Sequence, residues 1–112
     1  MDISVLVPLY NEAESLPVLY NWIVRVMHDS NFTYEIIFLN DGSTDSSWSV
    51  IQDLHNQDEH VRGICFRRNY GKSAALHCGF QAAKGDVVIT MDADLQDSPD
   101  EIPELYRMIK ED

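Results

Sequence analysis

The chain has 112 residues, of which 45% are hydrophobic and 24% charged, as expected for one globular domain or part of one. Its 19 Asp and Glu against 8 Lys and Arg give a formal net charge of −11. Most of such a surface repels polyanions, which argues against a nucleic-acid footprint and against a generally basic membrane-binding face. A phosphorylated ligand must therefore be bound by local groups. These can be a metal ion, backbone N–H groups or the basic segment Arg67, Arg68 and Lys72.

Apolar periodicity predicts four strands that alternate with four helices. Pro8 is expected to close the first strand because proline cannot donate to a central ladder, and Gly85 is expected to end the third helix. Short connections between alternating elements predict an α/β fold with a doubly wound, mostly parallel sheet. The predicted strands are residues 3–7, 34–39, 61–66 and 87–91, and the predicted helices are residues 13–28, 45–57, 72–84 and a last helix beginning at Ser98-Pro99-Asp100-Glu101.

A polar segment follows each of the four predicted strands. The segments are Pro8 to Glu12, Asn40 to Asp45, Arg67 to Lys72 and Asp92 to Gln96. Since the carboxyl ends of parallel strands meet at one edge of a sheet, where open α/β folds bind their ligands, these segments predict a ligand site there.

The fourth strand ends in two carboxylates, Asp92 and Asp94, separated by one residue. In an extended D-x-D the two side chains point the same way, so they can converge on one hard cation and the diphosphate that it carries. An EF-hand is excluded, because Asp97 stands where its glycine is required and Pro103 where its glutamate is required. A D-x-D phosphohydrolase stays an alternative, although its motif is expected on the first strand.

Two nucleotide-binding motifs are excluded. The first strand-to-helix turn, residues 8–15, contains no glycine and so no G-x-G-x-x-G dinucleotide site. Gly71-Lys72-Ser73 resembles the end of a Walker A loop, but Phe66 stands where the first glycine is required. Two weaker candidates remain. The helix start flanked by Arg68 and Lys72 is a candidate anion contact. The Asp41 carboxylate can accept hydrogen bonds from a base or ribose.

The remaining reactive residues predict no further site. Cys65 and Cys78 lie in apolar sequence without a C-x-x-C motif, and we expect buried, reduced thiols. The four histidines share no spacing and are expected to be structural or surface residues. No signal peptide opens the sequence and no apolar run reaches membrane-spanning length, which favours a cytoplasmic protein.

Four motifs follow the predicted strands: V-P-L-Y-N-E at 7–12, L-N-D-G-S-T-D at 39–45, R-R-N-Y-G-K at 67–72 and M-D-A-D-L-Q-D at 91–97. Together they resemble the inverting glycosyltransferases of family 2, which have the GT-A fold. Within that family, R-N-Y-G-K at 68–72 and D-A-D-L-Q-D at 92–97 look like the polyprenyl- and dolichyl-phosphate sugar transferases. The resemblance implies a GT-A-like, Rossmann-like nucleotide-binding sheet.

The resemblance also implies a role for each matching residue. Asp94 is implied as the catalytic residue, and Asp92, Asp94 and Gln96 as ligands of the Mg²⁺ or Mn²⁺ that bridges the donor's diphosphate. Asp41 is implied to hydrogen-bond the nucleotide base. The full set of implied nucleotide-sugar-binding residues is Pro8, Tyr10, Glu12, Asp41, Gly71, Lys72 and Asp92.

The implied reaction transfers a sugar, with inversion, from a nucleoside-diphosphate sugar such as a UDP- or GDP-sugar to a lipid phosphate or a glycan. A lipid phosphate arrives ionised and needs no strong general base. The resemblance implies that residues 1–112 are the N-terminal, nucleotide-sugar-binding part of the domain. The acceptor half and any membrane helices would lie elsewhere, so we expect this chain alone to be inactive.

The complete protein is expected at the cytoplasmic face of a membrane, in cell-envelope synthesis. Two alternatives to the transferase stay open. One is the D-x-D phosphohydrolase, and the other is a non-catalytic module that binds a nucleotide as a signal.

Overall fold

A computed structural model describes residues 1–111, and its strands and helices alternate as the sequence predicts. Within these residues the strands form one parallel sheet with the order β3-β2-β1-β4, which confirms the predicted α/β fold. No helix among residues 1–111 is long and apolar enough to span a bilayer. The strands are β1 (Ile3–Leu9), β2 (Tyr34–Asn40), β3 (Val61–Cys65) and β4 (Val87–Thr90), and the helices are α1 (Leu16–Asp29), α2 (Ser47–Gln57), α3 (Lys72–Ala82) and α4 (Ile102–Glu111).

Helices cover both faces of the sheet, because the central strands are apolar on both faces. α1, α2 and α4 pack on one face against residues such as Val5 and Phe38. α3 packs on the other face against Leu6 and Leu39. The small residues of α3 allow a close approach, since a Cβ added to Gly79 would lie 2.8 Å from the Leu39 side chain.

The prediction that Pro8 closes β1 is wrong, since the strand continues to Leu9. The backbone of Leu9 faces β2, where its C=O accepts a hydrogen bond from the Asp41 N–H (2.9 Å), whereas the Leu6 C=O faces β4 and accepts from Met91 (2.9 Å). Because successive residues face opposite sides, the missing N–H of Pro8 falls on the β4 side. Proline therefore stops only the ladder with β4, and the chain after β4 is released from the sheet where its acidic segment begins.

The bounds of α1, α2 and α3 differ from the predicted ones. α2 begins at Ser47 instead of residue 45. α1 begins at Leu16 instead of residue 13, because residues 13–15 form a turn and Pro17 lies in the first helical turn. α3 ends at Ala82, so Gly85 does not end it. Gly85 is needed for space instead, because a Cβ there would lie 2.6 Å from the Ser4 backbone nitrogen.

The predicted start of the last helix is confirmed. The Ser98 side chain accepts a hydrogen bond from the Asp100 N–H (3.3 Å), and Pro99–Glu101 form a single 3₁₀ turn before α4. The prediction of buried cysteines is wrong: Cys65, at the end of the edge strand β3, is exposed and Cys78 is half-buried. Both thiols are free.

One buried carboxylate, Glu35, ties the connection between α3 and β4 to the amino end of the sheet. It accepts hydrogen bonds from Ser4 Oγ (2.6 Å), Arg62 Nη1 (2.7 Å) and the Lys84 backbone N–H (2.7 Å). Burial raises the pKa of Glu35, but these hydrogen bonds outweigh it and hold the pKa below its ordinary value of 4.5. The ionised form is therefore the one that stabilises the fold.

We expect Glu35→Gln to lower the free energy of unfolding by about 1–3 kcal/mol at neutral pH, because a charge-assisted acceptor is lost. Since the folded pKa lies below the unfolded one, this contribution is complete above pH 4.5 and disappears as the pH falls through the folded value. Urea unfolding across this pH range measures both effects, with Glu14→Gln on the exposed surface as the control. Equal stability of the Glu35 variant and the wild type at neutral pH would contradict the role of this network.

Candidate functional site

The loops after β1 and β2 are joined by Asn11. Its side-chain oxygen accepts hydrogen bonds from the N–H groups of Thr44 (2.8 Å) and Asp45 (3.2 Å), and its own N–H donates to Ser43 Oγ (2.9 Å). Asn11 has a left-handed backbone (φ 54°), which asparagine tolerates better than most residues. The sequence predicted no role for Asn11, although an asparagine in the turn after a strand was a usable signal.

Asp41 joins the end of β2 to the loop after β3. Its carboxylate is 5% exposed and accepts hydrogen bonds from the backbone N–H groups of Tyr70 (2.8 Å) and Gly71 (3.0 Å). Gly42 allows this approach, because a Cβ there would lie 2.2 Å from the Arg68 carbonyl carbon. Asp41 therefore holds the loop in place, and only its remaining lone pairs are available to a nucleotide base.

Lys72 connects this loop to the D-x-D segment. It is the first residue of α3, directly after Gly71, and its Nζ lies 2.6 Å from Asp92 Oδ1. The hydrogen bond to Asp92 raises the pKa of Lys72 above its ordinary value of 10.5, so the amine stays charged at neutral pH. Both side chains are about half exposed (59% and 46%), and a pair in water of this kind is weak enough to exchange for a diphosphate or a cation.

The D-x-D segment is not extended, contrary to the prediction. Asp94 Oδ1 accepts from the Gln96 N–H (3.2 Å) and Asp97 Oδ2 accepts from the Asp92 N–H (3.0 Å), so the backbone turns instead of continuing the strand. Leu95 has φ 67°, a left-handed conformation that is rare for leucine and typical of strained functional loops. The turn is possible because the ladder with β1 has already ended.

Ser15 fixes this turn to the loop after β1. Its Oγ donates to the Ala93 carbonyl oxygen (2.6 Å) and lies 3.1 Å from Glu12 Oε2. Glu12, a predicted site residue, therefore lies close to the acidic segment, because Ser15 contacts both. No role was predicted for Ser15, because nothing in the local sequence distinguishes it from an ordinary helix-capping serine.

A pocket of about 160 Å³ lies at the carboxyl ends of β1 and β2. It is smaller than the roughly 300–1,000 Å³ of most ligand sites, so it has room for a base or a sugar ring but not for a whole nucleotide sugar. Four predicted site residues line it, while Asp94 and Gln96 lie on the exposed outside of the turn. The lining residues are Pro8, Leu9, Tyr10, Asp41 and Lys72.

A larger pocket of about 370 Å³ lies elsewhere, between α2 and the β3 edge. Trp48, His55 and Gly63 are among its lining residues, and no carboxylate lines it. It also lies beyond β3, at the opposite edge of the sheet from β4. The smaller pocket is the candidate site, because it lies at the carboxyl edge of the sheet and its lining residue Lys72 contacts the D-x-D segment.

The donors at the D-x-D segment suit a hard divalent cation. Asp92 and Asp94 offer carboxylate oxygens and Gln96 an amide oxygen, the ligand types that Mg²⁺ and Mn²⁺ prefer. Among the residues that the structure describes, no three His, Cys, Asp or Glu side chains are grouped to hold a metal ion. This set fits an ion held by one or two carboxylates and completed by substrate phosphates and water, as is usual for Mg²⁺.

The model of glycosyl transferase family 2 matches residues 4–112. The chain belongs to this family. Undecaprenyl-phosphate 4-deoxy-4-formamido-L-arabinose transferase of Proteus mirabilis is 44% identical to it over 110 residues, which are 97% of the chain and 34% of that protein. The enzyme of the same name from Pectobacterium carotovorum is 45% identical over 93% of the chain and 32% of its own length. The chain thus spans about a third of the curated relatives it matches.

Solved structures agree with the fold of this family 2 chain. Glucosyl-3-phosphoglycerate synthase from Mycobacterium tuberculosis, in complex with Mn²⁺, UDP and phosphoglyceric acid, superposes with a TM-score of 0.75 at 25% identity, over 96% of the chain and 38% of that protein. TarS from S. aureus superposes with a TM-score of 0.74 at 20% identity, over 99% of the chain and 33% of that protein. The predicted GT-A-like fold and family 2 resemblance are confirmed, and the roles of individual site residues stay predictions.

We expect Asp41→Asn to loosen the loop at residues 67–72. The amide would direct an N–H group at one of the two backbone donors, Tyr70 or Gly71, and lose that hydrogen bond. Hydrogen exchange at these two amides should quicken by at least about tenfold, while the exposed Asp53→Asn serves as a control that leaves them unchanged. Unchanged protection in the Asp41 variant would show that other contacts hold the loop.

Proposed function

We propose that this chain supplies the nucleotide-sugar side of an inverting transfer of a sugar to a polyprenyl phosphate. The observation that carries the proposal is the single edge at which Lys72 joins a base-sized pocket to the D-x-D segment. The names of the relatives, transferases of a sugar to undecaprenyl phosphate, support the choice of acceptor. Membrane association and the cytoplasmic face stay parts of this proposal.

The donor would lie across the edge of the sheet from the pocket to the D-x-D segment. Pro8 and Tyr10 would border the base and ribose, with Glu12 beside them, and Asp41 would offer its remaining lone pairs to the base. Lys72 would turn from Asp92 towards the diphosphate, since the exposed pair costs little to break. The N–H groups at the start of α3 point to the same region and favour a negative charge.

Asp92, Asp94 and Gln96 would hold a divalent cation together with the diphosphate. Mn²⁺ in the mycobacterial complex supports such an ion, and the donor types suit Mg²⁺ equally. The ion, when bound, offsets the charge that develops on the departing nucleoside diphosphate. Asp94 acts as the catalytic residue in this sense only, by holding the ion beside the leaving group.

The acceptor determines whether a base is needed. A polyprenyl phosphate attacks the anomeric carbon as an anion, so the geometry of approach matters more than proton removal. A glycan hydroxyl would require a general base. The preference for a lipid phosphate rests on the relatives alone, because the described residues offer no acceptor pocket that identifies it.

Calorimetry of the chain with UDP and with GDP tests the donor side. We expect one of them to bind more tightly with Mn²⁺ present, and Asp94→Asn to weaken the Mn²⁺-dependent part by at least about tenfold. Glu101→Gln, an exposed acid outside the D-x-D segment, is the matched control and should change nothing. Binding that is indifferent to Mn²⁺ would contradict the metal assignment.

The two alternatives give different results. A phosphohydrolase would turn over a generic phosphomonoester and lose that activity in Asp92→Asn. Family membership favours transfer instead. A non-catalytic module would bind the nucleotide while the complete protein transfers no sugar.

A further inference from the structure

The basic residues of this acidic chain are concentrated in one stretch. Residues 60–85 contain five of the eight Lys and Arg and no Asp or Glu. The rest of the chain therefore carries all 19 acidic residues against three basic ones. The net charge of −11 does not reveal this segregation, because a single value for the whole chain suggests that the entire surface repels anions.

The fold turns this asymmetry in sequence into an asymmetry between two faces. The stretch comprises β3, the loop after it and α3, and α3 covers its face of the sheet while α1, α2 and α4 cover the other. We define the basic face as the exposed basic and aromatic residues of the loop, of α3 and of its end, apart from Lys72, which pairs with Asp92. They are Arg67, Arg68, Tyr70, His77, Phe80 and Lys84.

The cations of the basic face are available to a partner. Within residues 1–111, Arg67, Arg68 and Lys84 make no ion pair. Asp92 pairs with Lys72 and Asp86 with Lys110, whereas the exposed Glu59 lines a pocket together with Lys84. The face therefore presents unneutralised positive charge chiefly at Arg67 and Arg68. Its partner should be anionic.

Two exposed aromatic side chains belong to the basic face. Tyr70 is 55% exposed and Phe80 is 54% exposed. The Arg68 guanidinium lies 5.0 Å from the centre of the Tyr70 ring, and Phe66 packs against that ring edge-on. Rings held among Lys and Arg side chains are the combination found at the interface of a bilayer, where the ring enters the headgroup region and the cations meet lipid phosphates.

The loop also has a place for a headgroup. Arg67, Arg68 and Tyr70 line an open pocket of about 420 Å³. A guanidinium group can donate two parallel hydrogen bonds to the paired oxygens of a phosphodiester, and this pocket has two such groups in its lining. The site is open to solvent, as docking onto a surface requires.

We propose that the basic face docks the chain onto a membrane that contains anionic phospholipids. The acidic remainder does not prevent this, because the Debye length is about 8 Å at physiological salt and the chain is 25 Å across in its shorter dimensions. The net charge argued against a generally basic membrane-binding face. The basic face is a local exception to that expectation. In this orientation Lys72 and the candidate site lie at one end of the docked helix, next to the lipid surface.

The proposal deepens the proposed lipid acceptor, but the two can fail separately. Vesicle binding requires no sugar transfer, and nucleotide binding requires no vesicle. If the chain binds UDP or GDP with Mn²⁺ but does not bind vesicles, the proposed donor site stands and the proposed docking face is wrong.

Co-sedimentation with vesicles tests the docking face. The 112-residue chain should bind vesicles of phosphatidylcholine mixed with phosphatidylglycerol, not phosphatidylcholine alone, and high salt should release it. Each basic residue near the surface contributes about fivefold, so the triple variant Arg67→Gln, Arg68→Gln, Lys84→Gln should bind about 100-fold more weakly. Phe80→Ser should also weaken binding.

The matched control removes the same charge elsewhere. The double variant Arg25→Gln, Arg107→Gln neutralises two basic residues outside the stretch, leaves the Lys110–Asp86 pair intact and should bind the mixed vesicles like the wild type. It is compared with Arg67→Gln, Arg68→Gln, which should bind about 25-fold more weakly. Equal loss in both double variants would mean that only net charge matters and would overturn the proposal. No binding of the wild type to mixed vesicles would overturn it as well.

Two other occupants are distinguished in the same samples. If the chain dimerises without vesicles and Phe80→Ser abolishes the dimer, the face belongs to a second copy and the proposal is wrong. Tighter binding to a single-stranded oligonucleotide than to the mixed vesicles would assign the face to nucleic acid and would also overturn it.

Discussion

The carboxylate of Asp41 holds the candidate site together. By accepting the N–H groups of Tyr70 and Gly71, it fixes the point at which α3 begins. That point places Lys72, whose amine reaches Asp92 on the turn after β4. One buried acid at the end of β2 thus determines where the basic loop, the start of α3 and the acidic segment lie relative to each other. The base-sized pocket lies in the middle of this chain of contacts.

Much of the fold was predictable because its elements follow strong periodic patterns. The order of strands and helices and the common edge of the four loops came from apolar runs and the turn residues between them. Pro8 was misjudged because the side of the ladder that it faces depends on the strand order, which no local pattern reveals. Gly85 was misjudged for a similar reason: its neighbour Ser4 is 81 residues away in sequence.

The site was predictable in its residue types but not in its geometry. Pro8, Tyr10, Asp41 and Lys72 share a pocket, as the motifs implied. The main contacts of Asp41 could not be foreseen, because its partners are backbone groups of a loop whose position depends on the fold. The turn at Asp92 to Asp97 was likewise hidden, since it arises from the early end of the β4 ladder and from local side-chain hydrogen bonds.

We propose that the four loops form one site for a metal ion and a nucleoside diphosphate. Amide NMR of the chain with UDP or GDP and a trace of Mn²⁺ tests it most directly, since the paramagnetic ion broadens only nearby resonances. We predict broadening at residues 92–96, extending to Gly71 and Lys72, and dependent on the nucleotide. Broadening confined to other acidic segments, such as residues 100–111, would contradict the claim.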